Sequence, residues 1–200
     1  MPAFVYLASQ SPRRRQLLDQ LGLQHELLLP DPDEDTETLE EVKAGEAPAV
    51  YVARVTGLKL QAALRRRRQR GLLSAPVLCA DTTVALGRQI FGKPADAAQA
   101  RSMLRVLAGR THRVLTAVAI GTPKRQLQIL SSSRVTFSPL TDAQVNTYVA
   151  SGEPFGKAGA YAVQGAAAGF ITHISGSYSG IMGLPLFETA QLLRALGLRF

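Results

Sequence analysis

The sequence predicts a single mixed α/β (α+β) domain, on three observations. Strand-like apolar runs and helical stripes are interleaved without the regular alternation of a doubly wound sheet. Two longer runs, 112–120 and 127–137, flank GTPKR in the pattern of an antiparallel hairpin. The chain has 200 residues, 46% of them hydrophobic, enough to bury one sizeable core, and no repeat or low-complexity linker divides it. Residues 1–200 are therefore read as one domain.

The elements follow in order. FVYLA, 4–8, reads as a short buried strand. Ser11 then stands at an N-cap and Pro12 at the first helical position, and Gly22 ends that helix. Residues 26–30 are a second strand candidate, and the acidic stretch DPDEDTETLEE, 31–41, reads as loop. From Pro48 to about Arg68 the pattern is helical, with Val52, Val55, Leu58, Lys59 and Ala62 along one stripe and Leu60 and Leu64 off it. PVLCADTTVAL, 76–86, is a strand signal with Asp81 in its middle. Asp96 caps a helix whose apolar face is Ala100, Met103, Leu104 and Leu107, closed by Gly109. Thr141 and Gln144 make a capping box for a helix to about Ala150. Residues 152–183 are glycine-rich, a region of turns with a strand at 169–174, and a last helix runs from near Pro185 to Leu196.

The formal net charge is +8, so the surface attracts anions: nucleic acid, an anionic membrane or phosphorylated small molecules. No apolar run approaches the roughly 20 residues of a membrane span. With no leader pattern at the N-terminus and a single cysteine, Cys79, the expected location is cytoplasmic. RRRRQR, 65–70, reads as a solvated helix end rather than a nucleic-acid patch, because no zinc-finger spacing, RNP motif or interleaved aromatics accompany it.

LASQSPRRRQLL, 7–18, is the first segment that packing does not explain. Three arginines follow directly on a helix start, where a cation costs about 0.3–1 kcal/mol against the helix dipole. A charge-assisted hydrogen bond to phosphate returns roughly 1.5–3 kcal/mol. The serine hydroxyls, the free N–H groups of the first turn and at most two of the arginines can converge on one anion. An ordinary serine cap with solvated arginines is the competing explanation. Lys59 interrupts the apolar stripe of its helix, where it either snorkels or reaches a buried anion. Lys93, in FGKP, sits on a stiff loop. Asp81, inside an apolar strand, needs a metal, a cation or an open cleft. Glu34 in the acidic loop is its candidate partner, and two carboxylates with waters suit Mg²⁺ or Mn²⁺. His25, His112 and His173 show no zinc spacing, and no Walker sequence, nucleophile elbow or dinucleotide fingerprint is present. What remains is metal-assisted attack of water on a phosphate anhydride.

LASQSPRRRQLLDQLGL resembles the opening signature of the Maf family of nucleoside triphosphate pyrophosphatases. The resemblance continues in order through PDPDEDT, YVARVTGLK, CADTTV, GKPADAAQARSML, LAGRTHRVLTAV, EPFGKAGAYAVQG and GSYSGIMGLPLFET. It implies an elongated mixed α/β fold, similar to that of inosine triphosphate pyrophosphatases, with two lobes around a central cleft. It also implies hydrolysis of the α–β anhydride to a monophosphate and pyrophosphate with a divalent metal, and a homodimer. Carried over, Asp81 matches the proton acceptor, and Ser9, Arg13, Arg14, Lys59 and Lys93 match the residues around the triphosphate. Glu34 matches the acid that helps with the metal. AYAVQG, with Gln164, resembles the branch acting on dTTP and UTP, in which Arg13, Thr82 and Gln164 govern substrate choice. The other expectations kept open are the 7-methyl-GTP branch and a basic protein tied to nucleic acid or septum formation.

Overall fold

A computed structural model describes residues 4–32, 34 and 38–200. Residues 33 and 35–37 of the acidic stretch lie outside the described residues.

The chain order is β1 (Phe4–Leu7), α1 (Pro12–Gln20), β2 (Gln24–Leu27), α2 (Pro48–Gln69), β3 (Val77–Leu86), β4 (Gln89–Phe91), α3 (Ala97–Leu107) and β5 (Thr111–Gly121). There follow β6 (Gln126–Phe137), α4 (Asp142–Ala150), β7 (Ile171–Ser175), α5 (Tyr178–Met182) and α6 (Leu186–Ala195). Among the described residues seven strands form one mixed sheet in the order β2-β1-β3-β5-β6-β7, with β4 on part of β3. β1 is parallel to β2 and β3, and the other pairings are antiparallel. The mixed α/β class, the hairpin, both predicted caps and the stop at Gly22 are as the sequence predicts. Short elements differ: the second strand is 24–27, the glycine-rich strand begins at Ile171, and β4 and α5 have too few residues to show a period.

α2 shows why its stripe looked imperfect. Val52 and Val55 in its first half pack with Ala85, Leu115 and Ala117, while Leu60, Ala63 and Leu64 in its second half pack with Val77, Cys79 and Ala119. A long helix crossing a twisted sheet turns its contact face along its length, so one fixed stripe cannot describe it. Leu58, placed on the stripe by periodicity, is 39% exposed. The basic block is corrected as well. Arg66 and Arg67 are buried, Arg66 donating to Leu28 O at 2.8 Å and Arg67 to Ala75 O at 2.5 Å. They fasten the end of α2 to the chain beside it instead of facing solvent.

The core divides along β3. Leu78 and Ala80 belong to a cluster with Val5, Leu7, Leu17, Leu18 and Leu193. Val84 belongs to another with Leu104, Leu107, Phe137, Tyr148 and Tyr161. Each is a well-filled apolar unit, in which a Leu→Ala change costs about 2–5 kcal/mol. Asp81 and Thr82 lie between them on the same strand and are only partly buried.

Candidate active site

The site forms where β3 loses a neighbour. One edge of β3 pairs with β5 along 77–85. On the other edge β1 pairs only at Val77 and Leu78, and β4 only from Val84 onward. The loops leaving β1 and β4, residues 8–11 and 92–93, border the gap. Alternation along the strand then sends Asp81 toward α2 and Thr82 toward α1.

A cleft of about 790 Å³ opens there. Nine predicted residues line it: Ser9, Ser11, Arg13, Arg14, Lys59, Asp81, Thr82, Lys93 and Gln164. Glu34, the predicted partner of Asp81, is not among the lining residues. Arg66 Nη2 and Nε donate to its two oxygens at 2.6 and 2.7 Å, and those hydrogen bonds hold its carboxyl below the usual range. The acid that meets Asp81 is Glu40, in a short 3₁₀ turn, Thr38–Glu40. Lys59 Nζ donates to Asp81 Oδ1 at 2.5 Å and to Glu40 Oε1 at 2.6 Å. Burial pulls the Lys59 ammonium down, but the two carboxylates outweigh it and its pKa is raised. Burial would likewise raise Glu40, and Lys59, with Lys93 and Arg14 behind it, holds its carboxyl low instead.

The opposite wall carries cations with no counter-charge. Arg14 Nε donates to Gly183 O at 2.7 Å, and its two other nitrogens reach Ser9 Oγ and Thr82 Oγ1, both at 3.2 Å. Thr82 Oγ1 is in turn 2.9 Å from Thr116 Oγ1. Arg13 Nε donates to Met182 O at 3.3 Å. Lys157 Nζ donates to Glu153 O at 2.5 Å and Phe155 O at 3.3 Å. Among the described residues none of these three makes an ion pair. Burial lowers the pKa of each, and the neighbouring Arg13 adds to that at Lys157. Like charges brought together without a carboxylate need an anion between them. The start of α1 has the same requirement. Its first helical bond runs from Arg15 N–H to Ser11 O, so the preceding N–H groups have no helical partner. Ser11 Oγ is buried there without any partner.

A strained stretch of backbone shapes the third wall. Gly159 and Ala160 both have left-handed φ, +69° and +61°. A Cβ on Gly159 would lie 2.9 Å from Val84 Cγ2. Gly159 N–H donates to Gly92 O at 3.0 Å, which ties this stretch to the Lys93 loop. Tyr161 follows, its hydroxyl 2.9 Å from His112 Nε2 beneath the cleft wall. Val163 is buried beside it and Gln164 stands exposed at the rim.

The donor set suits a hard divalent ion. Asp81 presents carboxylate oxygen to the cleft, and no group of three or more His, Cys, Asp or Glu able to hold a metal occurs among the described residues. Mg²⁺ is bound in such settings by one or two carboxylates, water and the substrate's phosphates. No helix is long and apolar enough to cross a membrane.

A family model described as Maf-like protein matches residues 4–196. The chain belongs to the Maf family. It is 68% identical over 199 residues to a protein of Albidiferax ferrireducens named dTTP/UTP pyrophosphatase, covering 100% of both chains. Similar relatives of the same name occur in a Polaromonas species, at 67% identity, and in Cupriavidus metallidurans, at 60%, again over 100% of both chains. The solved structure of the Staphylococcus aureus Ham1 protein matches with a TM-score of 0.43 and 13% identity, over 67% of this chain and 71% of that one. That likeness adds nothing to the fold described above.

Reading the sequence missed Glu40, Lys157 and Tyr161. Glu40 is one of several acids in a stretch without periodicity, so nothing marks which one folds back. Lys157 did carry a signal. Phe-Gly-Lys occurs twice, at 91–93 and 155–157, and both lysines line the cleft.

Proposed function

We propose that this Maf-family chain is a nucleoside triphosphate pyrophosphatase that hydrolyses dTTP and UTP to the monophosphate and pyrophosphate. One observation carries the reading: uncompensated Arg13, Arg14 and Lys157 face Asp81 and its lysine across a single cleft. The start of α1, with Ser9, Ser11, Arg13 and Arg14, receives phosphate oxygens through N–H and guanidinium donors. Lys59 and Lys93 take the charge that develops on the departing pyrophosphate. Asp81 spends one oxygen on Lys59. Its other oxygen accepts a proton from the water that attacks the α-phosphorus. When bound, Mg²⁺ or Mn²⁺ supplies Lewis-acid polarisation of the phosphates, with Asp81 as the acid that would hold it. The base lies toward Tyr161, Val163 and Gln164, where the amide can match a pyrimidine's carbonyl and N–H edge.

The burial of Arg66 and Arg67 removes two charges from the surface that a nucleic-acid reading would require. The test is pyrophosphate release over a nucleotide panel, with the Asp81→Asn variant beside the parent. The expected result is release from dTTP and UTP and loss of turnover, by about 10²-fold or more, in a variant that melts like the parent. Parent-like turnover in that variant removes Asp81 from the chemistry, and turnover confined to 7-methyl-GTP reassigns the branch.

A further inference from the structure

Glu40 is an acid placed where an anionic substrate has to go. Its two oxygens face two different lysines, Oε1 at 2.6 Å from Lys59 Nζ and Oε2 at 4.0 Å from Lys93 Nζ. That is how a phosphate group would lie between the same two ammonium groups. We propose that Glu40 is an internal competitor: its carboxylate occupies the Lys59–Lys93 pair in the free enzyme and is displaced when the pyrophosphate end of a nucleotide binds. The inference rests on the phosphate-binding role given to this cleft above.

Three features make the exchange physically reasonable. The backbone at Glu40 is held independently of its side chain. Tyr51 Oη donates to Glu40 O at 2.9 Å, and Arg54 Nη2 donates to Glu41 O at 2.9 Å while Arg54 pairs with Glu46 at 2.7 Å. Rotation about the Glu40 side-chain bonds therefore frees both lysines without moving the 3₁₀ turn. The side chain is 38% exposed, so it has a route to solvent. Lys59 does not lose its only partner when Glu40 leaves, because Asp81, with a side chain only 14% exposed, continues to hold it. A single carboxylate is also the weaker ligand. It brings one negative charge, whereas pyrophosphate brings several and more acceptor oxygens, so the multiply charged ligand wins the lysines. A carboxylate that stayed in place would instead repel it across a few ångströms. The consequence is control of affinity. Every ligand that engages both lysines first displaces Glu40, so substrate and released pyrophosphate are both bound less tightly than the cations alone would allow.

The test is titration calorimetry of inorganic pyrophosphate into the full-length protein in the presence of a chelator, so that no metal ion takes part. The proteins compared are the parent, Glu40→Gln, Glu40→Ala and Lys93→Ala, each checked by thermal melting. The expected result is pyrophosphate affinity raised roughly 3- to 30-fold in both Glu40 variants, as removal of one partly screened negative charge should give, and lowered in Lys93→Ala. A parallel fall in KM for dTTP, with magnesium present, completes the expected pattern. If pyrophosphate binds the parent and weakens in Lys93→Ala, yet both Glu40 variants bind it equally or less well, the competitor role is wrong and the phosphate cleft stands. A rise in KM in the Glu40 variants also overturns it, and assigns Glu40 to metal or substrate binding. If pyrophosphate does not bind the parent, or binds regardless of Lys93, the cleft assignment fails and the competitor role fails with it.

Discussion

Acidification from pH 7 to pH 5 should destabilise the protein through one residue, His112. Its ring is 1% exposed, stands edge-on to Phe137 and Tyr161 at centroid distances of 5.0 and 5.5 Å, and leaves Nδ1 buried without a partner. Burial pushes the imidazole down to about 4 from an ordinary 6.5. Between those two values the unfolded chain takes up a proton that the folded chain refuses. Stability is therefore constant above pH 6.5, falls as pH drops toward 4, and levels off below it. At 1.36 kcal/mol per pKa unit, the loss by pH 5 is about 2 kcal/mol. For a chain of this length that is a fall in Tm of roughly 4–8 °C. Glu34 and Glu40 are shifted the other way, below 4.5, so their contributions are lost only as pH falls below about 4.5. The interval from pH 5 to 7 thus isolates the histidine. The assay is Tm against pH for the parent and for His112→Phe combined with Tyr161→Phe, which removes both partners of the 2.9 Å contact together. The parent should show the slope and the double variant should lack most of it. A parent curve flat from pH 7 to 5, or an equal slope in the double variant, would refute the assignment.

Two further outcomes follow from the cleft walls. Lys157→Ala removes a cation held only by carbonyls. It should raise KM for the nucleotide by about tenfold or more, the worth of one charge-assisted contact, with little change in Tm. Gly159→Ala should cost about 1–2 kcal/mol for the left-handed backbone alone, with the overlap against Val84 added to it. Because Gly159 N–H holds Gly92 O beside Lys93, KM should rise as Tm falls.

Much of this was legible in the sequence because the signals were local. Pro12 after Ser11, Asp96 ahead of its apolar stripe and the Thr141–Gln144 box each fix a helix start within four residues, and the hairpin declares itself by its turn. The anion site at α1 was legible for the same reason, since its donors are neighbours in sequence. Choices settled by tertiary contact were not. Glu34 and Glu40 are six positions apart in one acidic stretch, and they are told apart only by which cation stands opposite: Arg66 at the end of α2 or Lys59 near its middle. Arg66 and Arg65 are chemically identical, yet one is buried and one exposed because the helix turns 100° between them.

The central claim is that water attacks the α-phosphorus of a nucleotide whose pyrophosphate end lies among the cleft cations. Turnover of dTTP in ¹⁸O-labelled water, with both products weighed by mass spectrometry, tests it most directly. The account predicts one labelled oxygen in the thymidine monophosphate and none in the pyrophosphate. Label in the pyrophosphate, or in a released orthophosphate, would contradict it.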